Sequence, residues 1–461
     1  MEGKAERVLK QSKSVESRTT VQPKSLVAQF LPWLAKGGFT LVDQGLISGS
    51  NFLISILLAR WLVPEQYGAY AVAFAIFILL TVFYQSLLLE PMAVFGGSAY
   101  RDNLREYLRV LLRLHLVASV VMCLPVVIWA VATGGIHPGT LSAALLGVAM
   151  ASPCVLVFWL VRRIFYLELS PAYAANGALW YFAFVTGGLF LANYRHVLSP
   201  FSAFLVMTLA ALVTCVFLLR HLLSNLQPGT TALHVWEVFQ RHWVYGRWAL
   251  VANFASWVPA YIYYPLLGRF SGIAHSGELR ALMNFVAPQL QIQAALAMLF
   301  LPYAARLRGS KGASYAMALN RKLTLVSLAG AIAYWLVIIF FKGTVFHLLY
   351  RGNYMEVAYL LPWVAVGSIM WAGAFGPTVV LRAMEAPRLV FLAYLVATVL
   401  SLAVGIPATH FYGLRGAIIG VNVSDAASWA MVVILLRRKT NDVRIEFALS
   451  NDRKEEELVT S

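Results

Sequence analysis

The stretch "SGSNFLISILLARWLVPEQYGAY" (residues 48–70) packs Leu, Ile, Phe and Val densely before it ends in Arg-Trp and a Pro/Gly turn. The apolar run is that of a membrane helix. Yet Ser48, Asn51 and Ser55 recur at helical spacing, and Gln44 lies one turn before them. An unsatisfied polar group in hydrocarbon costs several kcal/mol, so this face is expected to meet other helices or water rather than lipid.

The rest of the chain extends the first of these readings. Of its 461 residues 60% are hydrophobic and only 12% are charged, far more apolar than an ordinary soluble domain. Windows of about 20 apolar residues, enough to cross a ~30 Å hydrocarbon core, recur twelve times. They lie near 39–61, 70–90, 110–132, 141–161, 172–193, 199–219, 248–268, 281–303, 323–341, 357–380, 389–411 and 416–436. A β-barrel would show alternating segments of about ten residues, whereas these runs are apolar on most faces. The fold class is therefore all-α, a polytopic membrane protein with twelve transmembrane helices.

The polar, basic N-terminal 24 residues contain no short apolar region with a small-residue cleavage site. The first span is thus expected to double as the insertion signal. Within 25–38, Leu26, Phe30, Trp33 and Leu34 share one helical face beside basic residues, the pattern of an interfacial amphipathic helix. Cys123, Cys154 and Cys215 all fall inside spans without CxxC spacing and read as small apolar packing residues.

The net charge of +16 is first a topology signal. With an internal N-terminus, 29 of the 36 Lys and Arg lie in cytosolic segments, and the bias holds in each half separately. Outside lie Arg60, Arg195, Arg269, Arg280, Lys342, Arg351 and Arg415. Both termini are expected in the cytosol. The surplus serves insertion and attraction to anionic lipid headgroups, so no nucleic-acid partner is expected.

The longest segment between spans is polar, carries Pro228-Gly229 and falls at mid-chain. It divides the sequence into a basic tail with the interfacial helix (1–38), a first six-helix lobe (39–220), a cytosolic linker (221–246), a second six-helix lobe (247–438) and a charged cytosolic tail (439–461). An internal repeat supports this division. "LLARWLVPEQYG" (57–68) and "LLGRFSGIAHSG" (266–277) share Leu-Leu-small-Arg-aromatic and a Gly eight residues after the Arg, pairing Arg60 and Gly68 with Arg269 and Gly277. A second echo follows the fourth helix of each half, where Arg163 precedes Pro171 and Arg382 precedes Pro387. Two six-helix repeats that start on one side of the membrane are related by an axis along its normal, and parallel repeats of this kind place a cavity between pseudo-symmetric lobes. That is the architecture of an alternating-access transporter.

No GxxxxGK[ST] phosphate loop occurs, and no segment outside the membrane is long enough for a nucleotide-binding domain. No HExxH, GxSxG or clustered Cys/His metal spacing occurs either, so neither an enzyme nor a bound metal or cofactor is expected.

Three groups of polar residues inside the spans are candidates for function. On the first helix Gln44, Ser48, Asn51 and Ser55 fall within about 60° of one another at 100° per residue, as interhelical glue or as the wall of a cavity. On the eighth, Arg280, Asn284 and Gln291 fall within about 40°, with Pro288 nearby to break a backbone hydrogen bond. A cationic fork beside amides suits a phosphate-bearing ligand; snorkelling of Arg280 to the interface is the plainer alternative. Asp425, mid-span in the last helix, is a candidate for coupling to H+ or Na+, in concert with Asp43 or Glu90 near the cytosolic boundary. Trp257, Tyr261, Tyr263 and Tyr264 would suit a sugar, although an interfacial aromatic belt explains most of them.

"QGLISGSNFLISILLARWLVPEQYGAYAVAFAI" (44–76) closely resembles the first two helices of bacterial polysaccharide transporters, the O-antigen-type flippases of the multidrug/oligosaccharidyl-lipid/polysaccharide superfamily. The run Leu58–Gly68 is the most specific part, and "RRIFY" (162–166) and "FYGLRGAIIGV" (411–421) are also similar to that family. The resemblance implies an undecaprenyl-diphosphate-linked oligosaccharide turned from the cytosolic to the periplasmic leaflet of the inner membrane by rocking of the lobes, with ion antiport as the driving force. It implies O-antigen, capsule or exopolysaccharide biosynthesis as the setting, and membrane lipids, a polysaccharide polymerase and other assembly proteins as partners. A drug or small-solute antiporter of the same superfamily, a membrane-embedded glycan-assembly enzyme and a non-transporting scaffold are the alternatives.

Overall fold

Prolines mark the starts of several long helices. Pro64, Pro171, Pro200 and Pro387 stand at the first helical position, where the missing N–H is an orphan in any case and φ is preset. The computed structural model describes residues 26–132, 140–226, 232–311 and 313–460, with side chains over 37–132, 140–226, 232–305 and 317–441. The basic tail before Leu26, the apolar face of the interfacial segment and the side chains of the C-terminal tail beyond 441 lie outside the described residues.

The first lobe comprises α1 (Leu26–Trp61), α2 (Pro64–Gly96), α3 (Arg101–Ala132), α4 (Leu141–Leu167), α5 (Pro171–Tyr194) and α6 (Pro200–Asn225). In the second, α7 (Val235–Tyr261) and α8 (Tyr263–Phe270) form one crossing, and α9 (Ile273–Met283) and α10 (Ala287–Lys311) the next. Then come α11 (Ala313–Phe340), the short connector α12 (Lys342–Tyr350) and α13 (Met355–Ala383). The final long helical stretch is broken at Gly413, whose φ of 54° and ψ of −129° suit only glycine. The break separates α14 (387–412) from α15 (414–460); with that stretch taken as one, nine of the described helices, or ten with the bent α9–α10 pair, are long and apolar enough to cross a membrane. No strand occurs among the described residues.

Both lobes repeat one packing scheme. α1 packs on α5, α3 on α4, α4 on α6 and α5 on α6; in the same order, α7 packs on α14, α11 on α13, α13 on α15 and α14 on α15. Small residues allow the close crossings, Gly147 against Phe204 in the first lobe and Gly367 against Asn422 in the second. The second sequence echo is a shared turn. Leu169 and Glu385 both adopt left-handed backbone, with φ of 54° and 57°, two residues before Pro171 and Pro387. In each turn the next N–H closes back on the helix, from Ser170 to the Phe165 carbonyl (2.8 Å) and from Ala386 to that of Leu381 (3.0 Å), the six-to-one bond of a Schellman end.

Two elements depart from the expected windows. The eighth is no continuous helix: α9 and α10 meet at 47°, and Pro288 stands in the first turn of α10 rather than inside a longer helix. Residues 235–246, placed in the linker by their polarity, are the first turns of α7. They are held by long-range contacts that hydropathy does not register: His242 bonds through Nδ1 to the Leu87 carbonyl (3.0 Å) and through Nε2 to the Tyr107 hydroxyl (2.7 Å).

Candidate functional site between the lobes

The polar stripe of α1 changes character along its length. At its far end Ser55 is fully buried, and its hydroxyl donates to Asn284 Oδ1 (2.8 Å) and lies 2.9 Å from the Tyr67 hydroxyl. Asn284 Nδ2 in turn donates to the hydroxyls of Tyr67 (3.1 Å) and Tyr350 (3.3 Å). One amide at the α9–α10 break thus ties together α1, α2, α9 and α12. Tyr67 and Tyr350 were not legible as members of the site, although Tyr67 abuts the repeated Gly68.

Arg280, one turn earlier on α9, enters the same cluster. Its Nε donates to Ser55 Oγ (3.1 Å), and its guanidinium lies over the Phe74 ring at 4.4 Å. Among the described residues no carboxylate pairs with it; the nearby Glu278 is paired with His275. Tyr70, between Tyr67 and Phe74 in a ladder of rings, has a buried hydroxyl with no partner. A guanidinium without a counter-charge beside an orphaned hydroxyl presents donors and no negative charge.

The repeated glycines seal this end. A Cβ on Gly68 would overlap the Ile273 carbonyl, and one on Gly277 would lie 2.9 Å from the Gly68 nitrogen and 3.0 Å from the Pro64 carbonyl. α2 and α9 therefore cross at backbone contact. Arg60 does not share that cluster: its Nη1 donates to the Leu348 carbonyl (2.8 Å) near the end of α12. Arg269 is exposed and forms no such cap.

Away from the seal the stripe meets open space. Gln44 is exposed, Ser48 and Asn51 are half-buried, none of the three forms a hydrogen bond among the described residues, and nothing lies within 4 Å of a Cβ on Gly45 or Gly49. Amides left free in hydrocarbon are costly, and this part of α1 is tied to no neighbouring helix by hydrogen bonds of these side chains among the described residues. Gln291 does not continue the face of Arg280 and Asn284. It is exposed beyond the 47° break, while Gln289 and Gln293 take the buried positions. Gln289 donates to the Ser368 carbonyl (2.8 Å) and accepts from Ser368 Oγ (2.7 Å) and Trp335 Nε1 (2.9 Å), while Gln293 donates to Ser327 Oγ (3.1 Å). Their spacing of four residues was the available signal.

The three carboxylates stand apart. Asp43 is fully buried and paired with Arg162 (2.7 Å), and it accepts from the Tyr166 hydroxyl within the first lobe. Glu90 accepts from Asn253 Nδ2 (3.1 Å), joining α2 to α7. Asp425 lies in the second lobe, its Oδ2 3.0 Å from where a Cβ on Gly367 would stand, with no hydrogen bond or ion pair among the described residues. Close by, the Tyr263 hydroxyl bonds Ser401 Oγ (2.7 Å) in a gap left by Gly405 and Gly420. Tyr263 and Trp257 are thus interior residues rather than members of an interfacial belt.

Comparison with solved structures places this arrangement. An inward-facing structure of a multidrug resistance MATE family transporter of the MOP superfamily overlays with a TM-score of 0.70 at 12% identity, covering 87% of this chain and 95% of that one. The lipid II flippase MurJ, in an inward closed conformation, overlays with a TM-score of 0.66 at 11% identity, covering 88% and 87%. The chain has the fold of the MOP-superfamily transporters. An outward-facing MATE family structure of the same superfamily gives a TM-score of 0.56 at 12% identity, covering 88% and 94%. No protein-family model matches the sequence, and no curated protein matches it.

Proposed function

We propose that this protein carries an undecaprenyl-diphosphate-linked oligosaccharide from the cytosolic to the periplasmic leaflet of the bacterial inner membrane, for O-antigen, capsule or exopolysaccharide assembly. The observation that carries the reading is Arg280. A guanidinium held over Phe74, bonded to Ser55 and left without a carboxylate, attracts a diphosphate and repels a cationic drug. The Lys/Arg bias supports a sealed end at the periplasmic face and an open wall of Gln44, Ser48 and Asn51 toward the cytosol, where such a lipid is made. Rocking of the lobes about the seal would then expose the headgroup to the other side. Asp425, a carboxylate with no partner in the second lobe, is the group for a coupling H+ or Na+. Membrane lipids, the polymerase and the other assembly proteins are its expected surroundings.

Leaflet-resolved assay of lipid-linked repeat units in cells tests the reading. Loss of the protein should leave the units in the cytosolic leaflet, and Arg280→Ala, checked for folding by size exclusion and membrane yield, should do the same. Normal glycan translocation with altered drug tolerance would overturn it in favour of a drug antiporter.

A further inference from the structure

A second recess opens between α2, α4 and α7, close to Arg280 but separate from it. It holds about 290 Å3, near the lower limit of small-ligand pockets. Gln85, Trp159, Asn253, Trp257 and Tyr261 are among its walls. Gln85 opens a π-helical turn, Gln85–Leu89, of the kind that recurs at functional sites. Its Oε1 accepts from Arg163 Nη2 (2.9 Å), which leaves the Nε2 group free. Asn253 spends Nδ2 on Ser86 Oγ (3.0 Å) and Glu90 (3.1 Å), which leaves Oδ1 free. The indole N–H of Trp159 and the hydroxyl of Tyr261 also have no hydrogen-bond partner among the described residues.

Two ring systems frame these groups. Trp257 and Tyr261 lie 6.3 Å apart and within 17° of parallel, and Phe77 buttresses Trp159 edge-on at 6.3 Å. Anchored amides with one free donor or acceptor each, set beside flat aromatic faces, match the two faces of a sugar: hydroxyls for the amides and an apolar C–H face for the rings. Other occupants fit worse. Lipid chains would leave the amides unsatisfied, and a cation would meet no carboxylate among the recess walls, since Glu90 is not one of them.

The recess also lies at a useful distance. Arg280 sits over Phe74, and Ile78 to Gln85 on the recess wall follow 4 to 11 residues later on α2, about 6–16 Å at 1.5 Å per residue. The rings Phe74, Phe77 and Trp159 connect the two places without a gap, at 5.8 and 6.3 Å. We infer that this recess is a carbohydrate subsite, which holds a sugar ring of the lipid-linked oligosaccharide while Arg280 holds its diphosphate; this rests on the function proposed above.

The test compares two probes on the full-length protein in nanodiscs: bare undecaprenyl diphosphate, and the lipid-linked oligosaccharide extracted from membranes of the source bacterium. Wild type should bind the glycosylated lipid at least ~10-fold more tightly, the scale of one or two hydrogen bonds at ~1 kcal/mol each with a stacked ring. Tyr261→Leu should cut that ratio at least ~5-fold while leaving the affinity for the bare diphosphate unchanged. Trp159→Phe, which keeps the ring against Phe77 and removes only the indole donor, should lower it in the same direction and serves if Tyr261→Leu does not fold. An unchanged ratio in folded variants overturns the subsite. A wild-type ratio near one, with the bare diphosphate still bound, overturns the subsite and leaves the transport reading standing. Binding of neither probe overturns both.

Discussion

Gly68 and Gly277 occupy matching positions in the repeated segment, and they meet each other: a Cβ on Gly277 would lie 2.9 Å from the Gly68 nitrogen. Two copies of one sequence feature thus face one another across the boundary between the lobes. Contact at this closeness excludes any side chain, so the seal depends on both residues.

Gly68→Ala forces α9 away from α2, because the new methyl meets the Ile273 backbone rather than a movable side chain. The seal should loosen. In a chain whose three cysteines are replaced by Ala, Ser55→Cys should react faster with an impermeant thiol reagent added on the α1–α2 turn side once Gly68→Ala is present. Equal labelling with and without the alanine would show that the crossing is not the seal.

Arg280→Lys keeps the charge but loses the planar stack on Phe74 and the Nε bond to Ser55. Loss of one charge-assisted hydrogen bond, at about 1.5–3 kcal/mol, should weaken binding of undecaprenyl diphosphate by roughly 10- to 150-fold, measured in nanodiscs. Wild-type affinity in the lysine variant would mean that charge alone suffices and the fork is incidental.

Asn284→Ala removes the amide that joins Ser55, Tyr67 and Tyr350 and leaves buried hydroxyls with fewer partners. About 1–3 kcal/mol of stability should be lost, visible as a lower Tm in detergent. Gln291→Ala, at an exposed position beyond the 47° break, should leave Tm unchanged. Matching losses at the two positions would contradict the division of the α10 face described above.

Asp43→Asn and Asp425→Asn should part company. The first leaves Arg162 buried without its counter-charge, and breaking a buried pair from one side costs about 3–5 kcal/mol, so Tm should fall sharply. The second removes a carboxylate that has no partner, so Tm should hold or rise. Transport by Asp425→Asn should lose its response to a pH or Na+ jump. A variant that still responds to both would remove Asp425 from coupling.

The helical class and the repeated Arg-to-Gly segment were legible because each is written in local pattern. A window of about 20 apolar residues has few alternatives in a bilayer, and a glycine eight residues after an arginine marks the same turn wherever it recurs. The candidate site was legible only in part. Arg280, Asn284 and Ser55 stand out as polar residues at helical spacing, but Gln291 follows the same arithmetic and does not join their hydrogen bonds. Periodicity assumes an unbroken helix, and the break between Met283 and Ala287 has no length or hydropathy signature.

The sequence by itself determined an all-helical membrane bundle with an internal repeat, since hydrocarbon admits no other use for these runs of residues. Only the tertiary structure decided which polar groups are satisfied. Asp43 found Arg162, Asn284 found two tyrosines, and Gly68 found Gly277, each across more than 60 residues of chain. Arg280, Asp425, Gln85 and Asn253 were left with charges, donors or acceptors to spare. Those leftover valences follow from how the helices cross rather than from what any one of them contains, and the functional reading rests on them.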